Sequence, residues 1–313
     1  MNNIRVVVMG TTDFAVPALK KLYDSDFDVV CVVCQPDRPN GRGKKMRPLP
    51  MKKMAQDLDI PVFQPEKIRE PEAVAHLKSL HPDFFVVAAY GQILSQEVLD
   101  IPTYGCINIH GSLLPKYRGA APIHHAIIDG EKETGVSIMK MDIGMDTGAV
   151  YKKVVMPITE TTTVGEMHDQ MAEQGAEALI PVLKDVCAGT AEAVPQDPDK
   201  ATYADKISRE TGLIDWHQPA DKVLRRINGT DPWPGAWCQY QTKKMKCFAP
   251  KILDQAASSR PGTVVSADSE TGLIVASADR LVEIQEIQMP GKRRMKAKDY
   301  LRGNAIEVGT VLH

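Results

Sequence analysis

In the first half of the chain, short apolar runs alternate with stretches whose apolar residues recur every three or four positions. Short runs are typical of buried strands, and the longer spacing is typical of helices. The runs predict strands at residues 4–9, 29–34, 84–88, 107–110, 136–141 and 150–157. The spacing predicts helices near residues 14–22, 51–58, 72–79, 96–99, 123–128 and 162–183. Strands that alternate with helices predict an α/β fold with a mostly parallel, Rossmann-like sheet covered on both faces.

The pattern changes around Gly189. Residues 190–208 are polar, contain prolines and show no period, which is typical of a linker. Beyond them, one helix is predicted at 220–228, followed by strands at 236–240, 244–252, 262–266, 273–276 and 281–288. Short strands with turn residues between them predict a small β-barrel. We therefore predict a first domain over 1–189, a linker over 190–208 and a C-terminal domain over 209–313.

Composition and charge favour a soluble protein. No apolar run approaches the roughly 20 residues that span a bilayer, and the start of the chain lacks the features of a signal peptide. A cytoplasmic protein without membrane contact is therefore expected. The charge is uneven, because residues 209–313 hold 16 Lys and Arg against 12 Asp and Glu, while the remainder holds 22 against 28. A basic C-terminal domain suits nucleic acid, although a modest excess is also common on an ordinary solvated surface.

The six cysteines do not form a recognisable redox or metal motif. Cys31 and Cys34 are spaced as C-x-x-C, but they lie in a predicted strand, where side chains three residues apart point to opposite faces. We expect all six to be reduced thiols, as in a cytoplasmic protein.

Candidate chemistry is concentrated in residues 107–122, INIHGSLLPKYRGAAP. Strand alternation places Asn108 and His110 on one face, and the following segment has too many breakers for regular structure. Polar side chains at the end of an apolar strand, followed by a loop, often form a site in α/β folds. A strand end that simply meets solvent is the alternative.

The turn after the first strand, at Gly10, lacks the further glycines of a dinucleotide fingerprint, so we predict no NAD.

Two other site chemistries are less favoured. Cys106 shares the face of Asn108 and His110, but at about 3.3 Å per residue it lies roughly 13 Å from His110, too far for an activated thiol. A zinc site of His110, His124 and Asp146 lacks the usual ligand spacing, so no metal is expected. From the residues alone, Asp142 and Asp146 could equally be turn residues, since each is followed by a glycine two positions on.

Several motifs together resemble one known family. They are Asn108-Ile109-His110, Ser112-Leu113-Leu114-Pro115, Tyr117-Arg118-Gly119, the pair Asp142 and Asp146, Gln35-Pro36-Asp37-Arg38-Pro39, Gly41-Arg42-Gly43-Lys44-Lys45 and Asp231-Pro232-Trp233-Pro234-Gly235-Ala236. This combination covers nearly the whole chain and is similar to the folate-dependent formyltransferases. The resemblance implies a 10-formyltetrahydrofolate co-substrate bound near Ser112, Leu113, Leu114 and Pro115, and initiator methionyl-tRNA as acceptor. It also implies a C-terminal barrel of the oligonucleotide-binding (OB) type, and it selects Asp146 over Asp142 as the catalytic carboxylate.

Formyl transfer between nitrogens needs groups of the kind that this stretch offers. The Asn108 amide can donate to the developing oxyanion, and protonated His110 can assist. The attacking amine must lose a proton, and His110 can accept it, with Asp146 orienting the ring or relaying the proton. Whether Asp146 relays or only orients is left open by the sequence.

Basic residues are the predicted contacts with tRNA. The Pro- and Gly-rich loop after the second strand offers Arg38, Arg42, Lys44 and Lys45, and the C-terminal domain offers Lys292, Arg293 and Arg294. Such residues suit a phosphate backbone, and the alternative is a solvated insertion. Formyl transfer to a small amine, hydrolysis of the formyl donor, and an RNA-binding module without activity remain competing functions. A monomer is expected.

Overall fold

The computed structural model describes residues 4–38 and 48–313. Their contacts divide them into two compact units. Ala120–Thr134, Pro157–Met167 and Ala204–His313 form the second unit, and the other described residues form the first.

A seven-stranded sheet forms the centre of the first unit. The strands up to residue 157 are β1 Arg5–Gly10, β2 Asp28–Val33, β3 Val62–Phe63, β4 Phe84–Ala88, β5 Cys106–His110, β6 Arg118–Gly119, β7 Glu133–Lys140 and β8 Val150–Pro157. The order of the strands in the sheet is β3-β2-β1-β4-β5-β7-β8. The helices up to residue 188 are α1 Val16–Tyr23, α2 Pro50–Asp57, α3 Pro71–Ser79, α4 Gln96–Leu99, α5 Pro122–Asp129 and α6 Val164–Ala188. The predicted alternation of strands and helices is confirmed.

Local sequence explains where several helices begin. A proline lies in the first turn of α1, α2, α3 and α5. Proline suits this position because the missing N–H would have no partner inside the helix and its φ is already helical. Helix α5 ends at Gly130, whose φ of +82° is the left-handed conformation that terminates many helices.

The sheet is mostly, but not wholly, parallel. β1, β2, β3, β4 and β5 are parallel neighbours, so the ends of β2 and β5 lie at the same edge of the sheet. β7 runs antiparallel to β5, with Ile107 opposite Lys140 and His110 opposite Ser137. The chain therefore enters β7 at the edge where it left β5, and β5 has an antiparallel partner on one side.

The two faces of β5 have different neighbours. Ile107 and Ile109 are buried on one face, where α6 approaches closely at Gly175. A side chain at Gly175 would lie 2.7 Å from the Ile109 Cγ2 methyl, so glycine is needed for this contact. On the other face, the buried Cys106 thiol donates to the Leu99 carbonyl oxygen at the end of α4. Asn108 and His110 follow Cys106 on that face, toward the edge of the sheet.

The second unit contains an antiparallel sheet. After the short strand β9 Tyr203–Ala204, the elements are α7 Ala220–Asn228, β10 Trp237–Tyr240, β11 Lys243–Ala256, β12 Val264–Asp268, β13 Gly272–Ala276, β14 Arg280–Gln288, β15 Met295–Lys296 and α8 Ala297–Leu301. The order of the strands in this sheet is β10-β11-β14-β13-β12. β15 pairs with β14, and α7 packs its apolar face, which includes Val223 and Ile227, into the buried core of this sheet. The sequence pattern did not predict β15 and α8, which are only two and five residues long.

The C-terminal segment connects the two edges of this sheet. The Val264 N–H donates to the Thr310 carbonyl at 2.8 Å, and the Leu312 N–H donates to the Gly262 carbonyl at 2.8 Å. The His313 N–H then donates to the Gln239 carbonyl of β10 at 3.1 Å. The sheet therefore curls toward a barrel, which agrees with the predicted small β-barrel; its assignment to the OB type stays a prediction.

Residues 190–208, predicted as a linker, are more structured than their sequence suggests. They contain a 3₁₀ turn at Pro198–Lys200 and a short strand, β9 Tyr203–Ala204. Val194 also pairs with Val150 of β8 through two hydrogen bonds of 2.9 Å. Backbone pairing, rather than an apolar period, orders this segment. No helix in the described part of the chain could cross a membrane, since none combines the necessary length and hydropathy.

Candidate active site

Strand β5 holds Asn108 and His110 at the edge of the sheet. Asn108 lies between Val87 of β4 and Met139 of β7, and His110 lies opposite Ser137. Asn108 is 9% exposed and His110 is 5% exposed, so both polar side chains are nearly buried. A buried polar group without a partner destabilises the folded state, so the partners of these side chains indicate their purpose.

Both ring nitrogens of His110 face protein oxygens. Nε2 lies 3.0 Å from the Tyr117 carbonyl oxygen. Because a carbonyl oxygen can only accept, Nε2 carries the proton in this contact. Nδ1 faces Asp146 Oδ1 at 3.7 Å, which is longer than a hydrogen bond. The Nδ1 side of the ring is therefore the side that can exchange a proton.

The Asp146 carboxylate is held by the backbone of the loop after β5. Its Oδ2 accepts the Gly119 N–H at 2.8 Å, and its own backbone has a φ of +53°. A left-handed φ is uncommon for residues other than glycine, and Asp tolerates it better than most. This anchoring leaves Oδ1 directed at His110.

Asp142, in the same loop, has a different role. It is exposed, and its Oδ1 accepts the Gly144 N–H at 3.1 Å and the Thr147 hydroxyl at 2.5 Å. These are the contacts of a turn residue. Of the two carboxylates that the motif contains, Asp146 is the one beside His110.

The Asn108 amide makes no side-chain hydrogen bond with any residue in the ranges 4–38 and 48–313. A nearly buried amide with two unused N–H donors is suited to bind an oxygen atom of a ligand. It lies on the same face of β5 as His110, two residues earlier. Together the two side chains form a polar patch on an apolar strand.

The loop Ser112–Leu113–Leu114–Pro115 is fixed by a hydroxyl from the neighbouring strand. Ser137, fully buried in β7, donates its Oγ–H to the Ser112 carbonyl at 2.7 Å and accepts the Leu114 N–H at 3.1 Å. The Ser112 hydroxyl donates to the Lys116 carbonyl at 2.6 Å, and Leu114 is buried against Met139 and Val150. Leu113 and Pro115 remain partly exposed, so their side chains are the part of the loop that a ligand can contact.

We expect Ser137→Ala to lower the free energy of unfolding by about 1–3 kcal/mol, because a buried N–H and a buried carbonyl each lose their partner. Urea unfolding of the variant measures this loss. Ser79→Ala is the matched control, since Ser79 is exposed and its hydroxyl bonds to a carbonyl at the end of α3. Equal losses in the two variants would contradict the role given to Ser137.

Cys106 does not take part in this site. Burial raises the pKa of its thiol to about 12, so it stays protonated at neutral pH and is a poor nucleophile. This agrees with its predicted position below the site. All six cysteines are free, and burial raises the pKa values of Cys31 and Cys34 to about 11.

The zinc alternative has no support among the described residues. Within residues 4–38 and 48–313, no group of three or more His, Cys, Asp and Glu side chains is arranged to hold a metal ion. His124 Nε2 instead lies 3.3 Å from the Trp233 carbonyl oxygen, and its ring meets the Trp233 ring edge-on.

The predicted tRNA contacts differ in their surroundings. Arg38 follows β2, at the edge of the sheet where β5 ends, and is exposed with a distant Glu66 partner at 3.9 Å. Arg42, Lys44 and Lys45 lie outside the described residues. In the second unit, Lys292 and Arg293 are exposed and have no side-chain partner among the described residues.

Arg294 is already engaged by the protein. Its guanidinium pairs with Asp231 at 2.8 Å and with Glu286 at 2.5 Å, and it lies over the Phe248 ring. Two carboxylates therefore already neutralise the positive charge of Arg294, which the sequence analysis predicted to contact tRNA. The Arg294 guanidinium is less available to a phosphate than the side chains of Lys292 and Arg293.

Sequence reasoning did not assign a role to several groups at the site. The Tyr117 carbonyl and the Gly119 N–H are backbone groups of a motif that was recognised only by its side chains. Gln196, in the predicted linker, contacts both Arg118 and the Asp146 loop. No periodic signal marks Gln196, because its contacts depend on the chain returning to the site.

Comparisons with known proteins identify relatives over nearly the whole chain. A family model described as formyl transferase matches residues 2–183, and one described as formyl transferase, C-terminal domain, matches residues 206–305. The methionyl-tRNA formyltransferase of Ruminiclostridium cellulolyticum is 45% identical over 311 residues, which cover 99% of each chain. The methionyl-tRNA formyltransferase of Bacillus subtilis is 44% identical over 309 residues, covering 98% of this chain and 97% of its own.

A solved structure shares the fold at low sequence identity. The N-formyltransferase from Helicobacter canadensis, in complex with folinic acid and dTDP-3-aminofucose, matches with a TM-score of 0.67 and 17% identity. The match covers 90% of this chain and 99% of that chain. At this identity the likeness concerns the fold alone.

Proposed function

The chain belongs to the formyl transferase family, and from this membership we propose that it transfers the formyl group of 10-formyltetrahydrofolate to the amino group of initiator methionyl-tRNA. The observation that carries the proposal is identity of about 45% to methionyl-tRNA formyltransferases, over nearly the full length of both chains. The reaction forms a bond from the amine nitrogen to the formyl carbon and breaks the bond from that carbon to N10. One proton leaves the amine and one is added to N10.

Asn108 is the proposed oxyanion donor. Attack on the formyl carbon places negative charge on the formyl oxygen, and the Asn108 N–H groups have no described protein partner that competes for them. The sheet fixes the backbone of Asn108, and the small exposed fraction of the residue, 9%, limits the movement of its amide before the substrate binds. Preorganised donors of this kind are among the largest contributions to catalysis of acyl transfer.

His110 and Asp146 are the proposed proton-transfer pair. Nε2 of His110 is held by the Tyr117 carbonyl, so proton exchange is confined to Nδ1 and to Asp146 Oδ1, which face each other at 3.7 Å. An amine placed beside this edge can deliver a proton to either atom. The protonated ring is then stabilised by the carboxylate, and the same proton can be returned to N10 as it leaves.

The folate co-substrate fits the loop after β5. Ser112 and Leu114 keep the loop in shape through Ser137, while Leu113 and Pro115 offer partly exposed apolar surface beside Asn108 and His110. We propose that this surface contacts the folate. Rigid apolar walls with a few placed donors are the usual composition of small-molecule sites.

The acceptor's tRNA is proposed to bind basic residues of both domains, 1–189 and 209–313, which the segment 190–208 joins. The proposed contacts are Arg38, Arg42, Lys44, Lys45, Lys292 and Arg293. Arg294, which pairs with Asp231 and Glu286, is proposed to support this basic surface rather than to contact a phosphate. Contacts with phosphates supply affinity without sequence specificity. We further propose that the protein acts as a monomer in the cytoplasm, where initiator tRNA is used.

We expect replacement of Lys292 and Arg293 by alanine to raise the KM for tRNA, with kcat unchanged. If each residue contacts one phosphate, the slope of log affinity against log salt should fall by about 1 per residue. Titration of tRNA binding at several salt concentrations measures this slope. An unchanged slope would remove both residues from the interface.

Arg294→Ala is the contrasting variant. It leaves the nearly buried Asp231 carboxylate without its cation, so we expect a loss of about 1–3 kcal/mol in the free energy of unfolding. The salt slope of tRNA binding should change less than in the double variant. A large change in the slope at unchanged stability would place Arg294 on the tRNA instead.

The proposed function is tested by following tetrahydrofolate release from 10-formyltetrahydrofolate. Release should require methionyl initiator tRNA and should be absent with the uncharged tRNA, which lacks the α-amino group of methionine. Release without any acceptor would indicate a hydrolase, and release only with a small amine would indicate another acceptor. Tight tRNA binding without release would indicate a binding module.

A further inference from the structure

Gln196 connects the two loops that hold the candidate catalytic pair. Its Nε2 donates to the Asp146 carbonyl at 2.7 Å and to the Gly148 carbonyl at 2.8 Å. Its Oε1 accepts from Arg118 Nε at 3.1 Å and from Arg118 Nη2 at 2.9 Å. One side chain thus makes four hydrogen bonds, all within the first compact unit.

Only an amide suits this position. The two carbonyl oxygens require a donor, and the guanidinium requires an acceptor, so the partners define which end of the Gln196 amide is nitrogen. A carboxylate could accept from Arg118 but would face two carbonyl oxygens without a proton to donate. An apolar side chain would leave the guanidinium of Arg118, which is 5% exposed, without these partners.

The contacts of Gln196 close a ring of interactions around His110 and Asp146. Arg118 stands between Tyr117, whose carbonyl accepts from His110, and Gly119, whose N–H anchors Asp146 Oδ2. Gln196 joins the Arg118 side chain to the backbone of Asp146 itself. The separation of His110 Nδ1 and Asp146 Oδ1 therefore depends on both loops keeping their relative position.

We propose that Gln196 is a positioning residue for the His110–Asp146 pair, an inference that rests on the proposed formyl transfer. It holds the Asp146 loop in its left-handed conformation, with φ +53°, so that the carboxylate meets His110 and the Gly119 N–H together. All four hydrogen bonds of Gln196 are with protein groups, so the role assigned to it is to act through Arg118 and the Asp146 loop. Its removal should change the orientation of the proton-transfer pair rather than the binding of either substrate.

The segment carrying Gln196 has anchors of its own. Val194 pairs with Val150 through two backbone hydrogen bonds of 2.9 Å. The Thr202 hydroxyl accepts the Tyr117 N–H at 2.9 Å, and the Thr202 carbonyl accepts the Arg118 N–H at 2.8 Å. None of these contacts involves the Gln196 side chain. We therefore expect the segment to stay in place in Gln196 variants.

The test compares Gln196→Ala and Gln196→Glu with Gln170→Ala, an exposed position on α6. We expect Gln196→Ala to lower kcat by about 10–100-fold, the effect of a misplacement of about an ångström at a catalytic group. The KM for 10-formyltetrahydrofolate should stay close to that of the wild type. Because the nearly buried Arg118 guanidinium loses its acceptor in Gln196→Ala, the melting temperature should fall, and kcat is therefore compared at a temperature at which each variant is folded. The ring-nitrogen NMR resonances of His110 should shift in Gln196→Ala and stay unchanged in Gln170→Ala.

Gln196→Glu distinguishes positioning from tethering. It keeps an acceptor for Arg118, so a residue that only tethered the segment would be replaced well by glutamate. Positioning of the Asp146 loop requires the donor, so we expect kcat of Gln196→Glu to be as low as that of Gln196→Ala or lower. Full activity in Gln196→Glu, or a loss of kcat that follows a loss of folded protein, would overturn the proposal. An inactive wild type would instead contradict the proposed function.

Discussion

Asn108→Ala is expected to lower kcat for formyl transfer by about 10²–10³-fold, the usual effect of removing one oxyanion donor. The amide is nearly buried and has no side-chain partner among the described residues, so its removal breaks no described hydrogen bond of the folded protein. Its expected effect is therefore on the transition state rather than on stability. Steady-state kinetics together with a thermal melt measure the two quantities separately.

Asn108→Asp tests whether catalysis requires the N–H donor of Asn108. Aspartate has the shape of asparagine but has no N–H donor, and its charge would repel a developing oxyanion. We expect its kcat to be at least as low as that of Asn108→Ala. Asn304→Ala, at an exposed position after α8, is the control. If both Asn108 variants kept the wild-type kcat, Asn108 would not be the oxyanion donor.

The second large effect is expected for the proton-transfer pair. His110→Ala and Asp146→Asn should each lower kcat by about 10²–10⁴-fold, the range for loss of general acid–base catalysis. Asparagine at position 146 can still accept the Gly119 N–H, so the loop keeps its anchor while the negative charge is lost. A loss of activity in this variant therefore reports on the charge beside His110 rather than on the loop.

Asp142→Asn provides the matched control in the same loop. Its carboxylate is exposed and bonds only to groups of its own turn among the described residues. We expect a small effect on kcat, because an amide oxygen can accept the same two hydrogen bonds. Equal losses for Asp142→Asn and Asp146→Asn would mean that the loop as a whole, and not the Asp146 charge, determines the rate.

Much of the fold could be predicted because its strands lie inside a sheet covered on both faces. Apolar runs such as 84–88, and the proline at the start of α5, mark element bounds directly. The antiparallel direction of β7 relative to β5 could not be predicted, since the apolar pattern of a strand is the same whichever way the strand runs. The short β15 and α8 carry too few apolar residues to give a period.

The candidate site was predicted where its side chains follow a local rule. Strand alternation placed Asn108 and His110 on one face. The family resemblance is confirmed by the relatives, and the catalytic role that it implies for Asp146 rather than Asp142 stays a prediction. The structure adds the Gly119 N–H and the Tyr117 carbonyl as the anchors of the pair. Both of these backbone groups belong to the loop after β5, and the sequence pattern does not predict the path of that loop.

The contacts of Gln196 could not be predicted from the sequence. The polar, proline-containing composition of residues 190–208 predicted a linker, because such a composition is typical of solvent-exposed segments. Composition alone does not predict that Val194 pairs with β8 or that the Gln196 amide connects two loops. Contacts between residues far apart in the chain depend on geometry that only the folded structure provides.

We propose that the formyl group goes to the amine of an aminoacylated tRNA. The most direct test supplies the wild-type protein with isotopically labelled 10-formyltetrahydrofolate, initiator methionyl-tRNA and free methionine together, and identifies the labelled product by mass spectrometry. We predict label on the amino group of the methionine esterified to tRNA. Label on free methionine or in released formate, with the tRNA unmodified, would exclude the amine of the aminoacylated tRNA as the formyl acceptor.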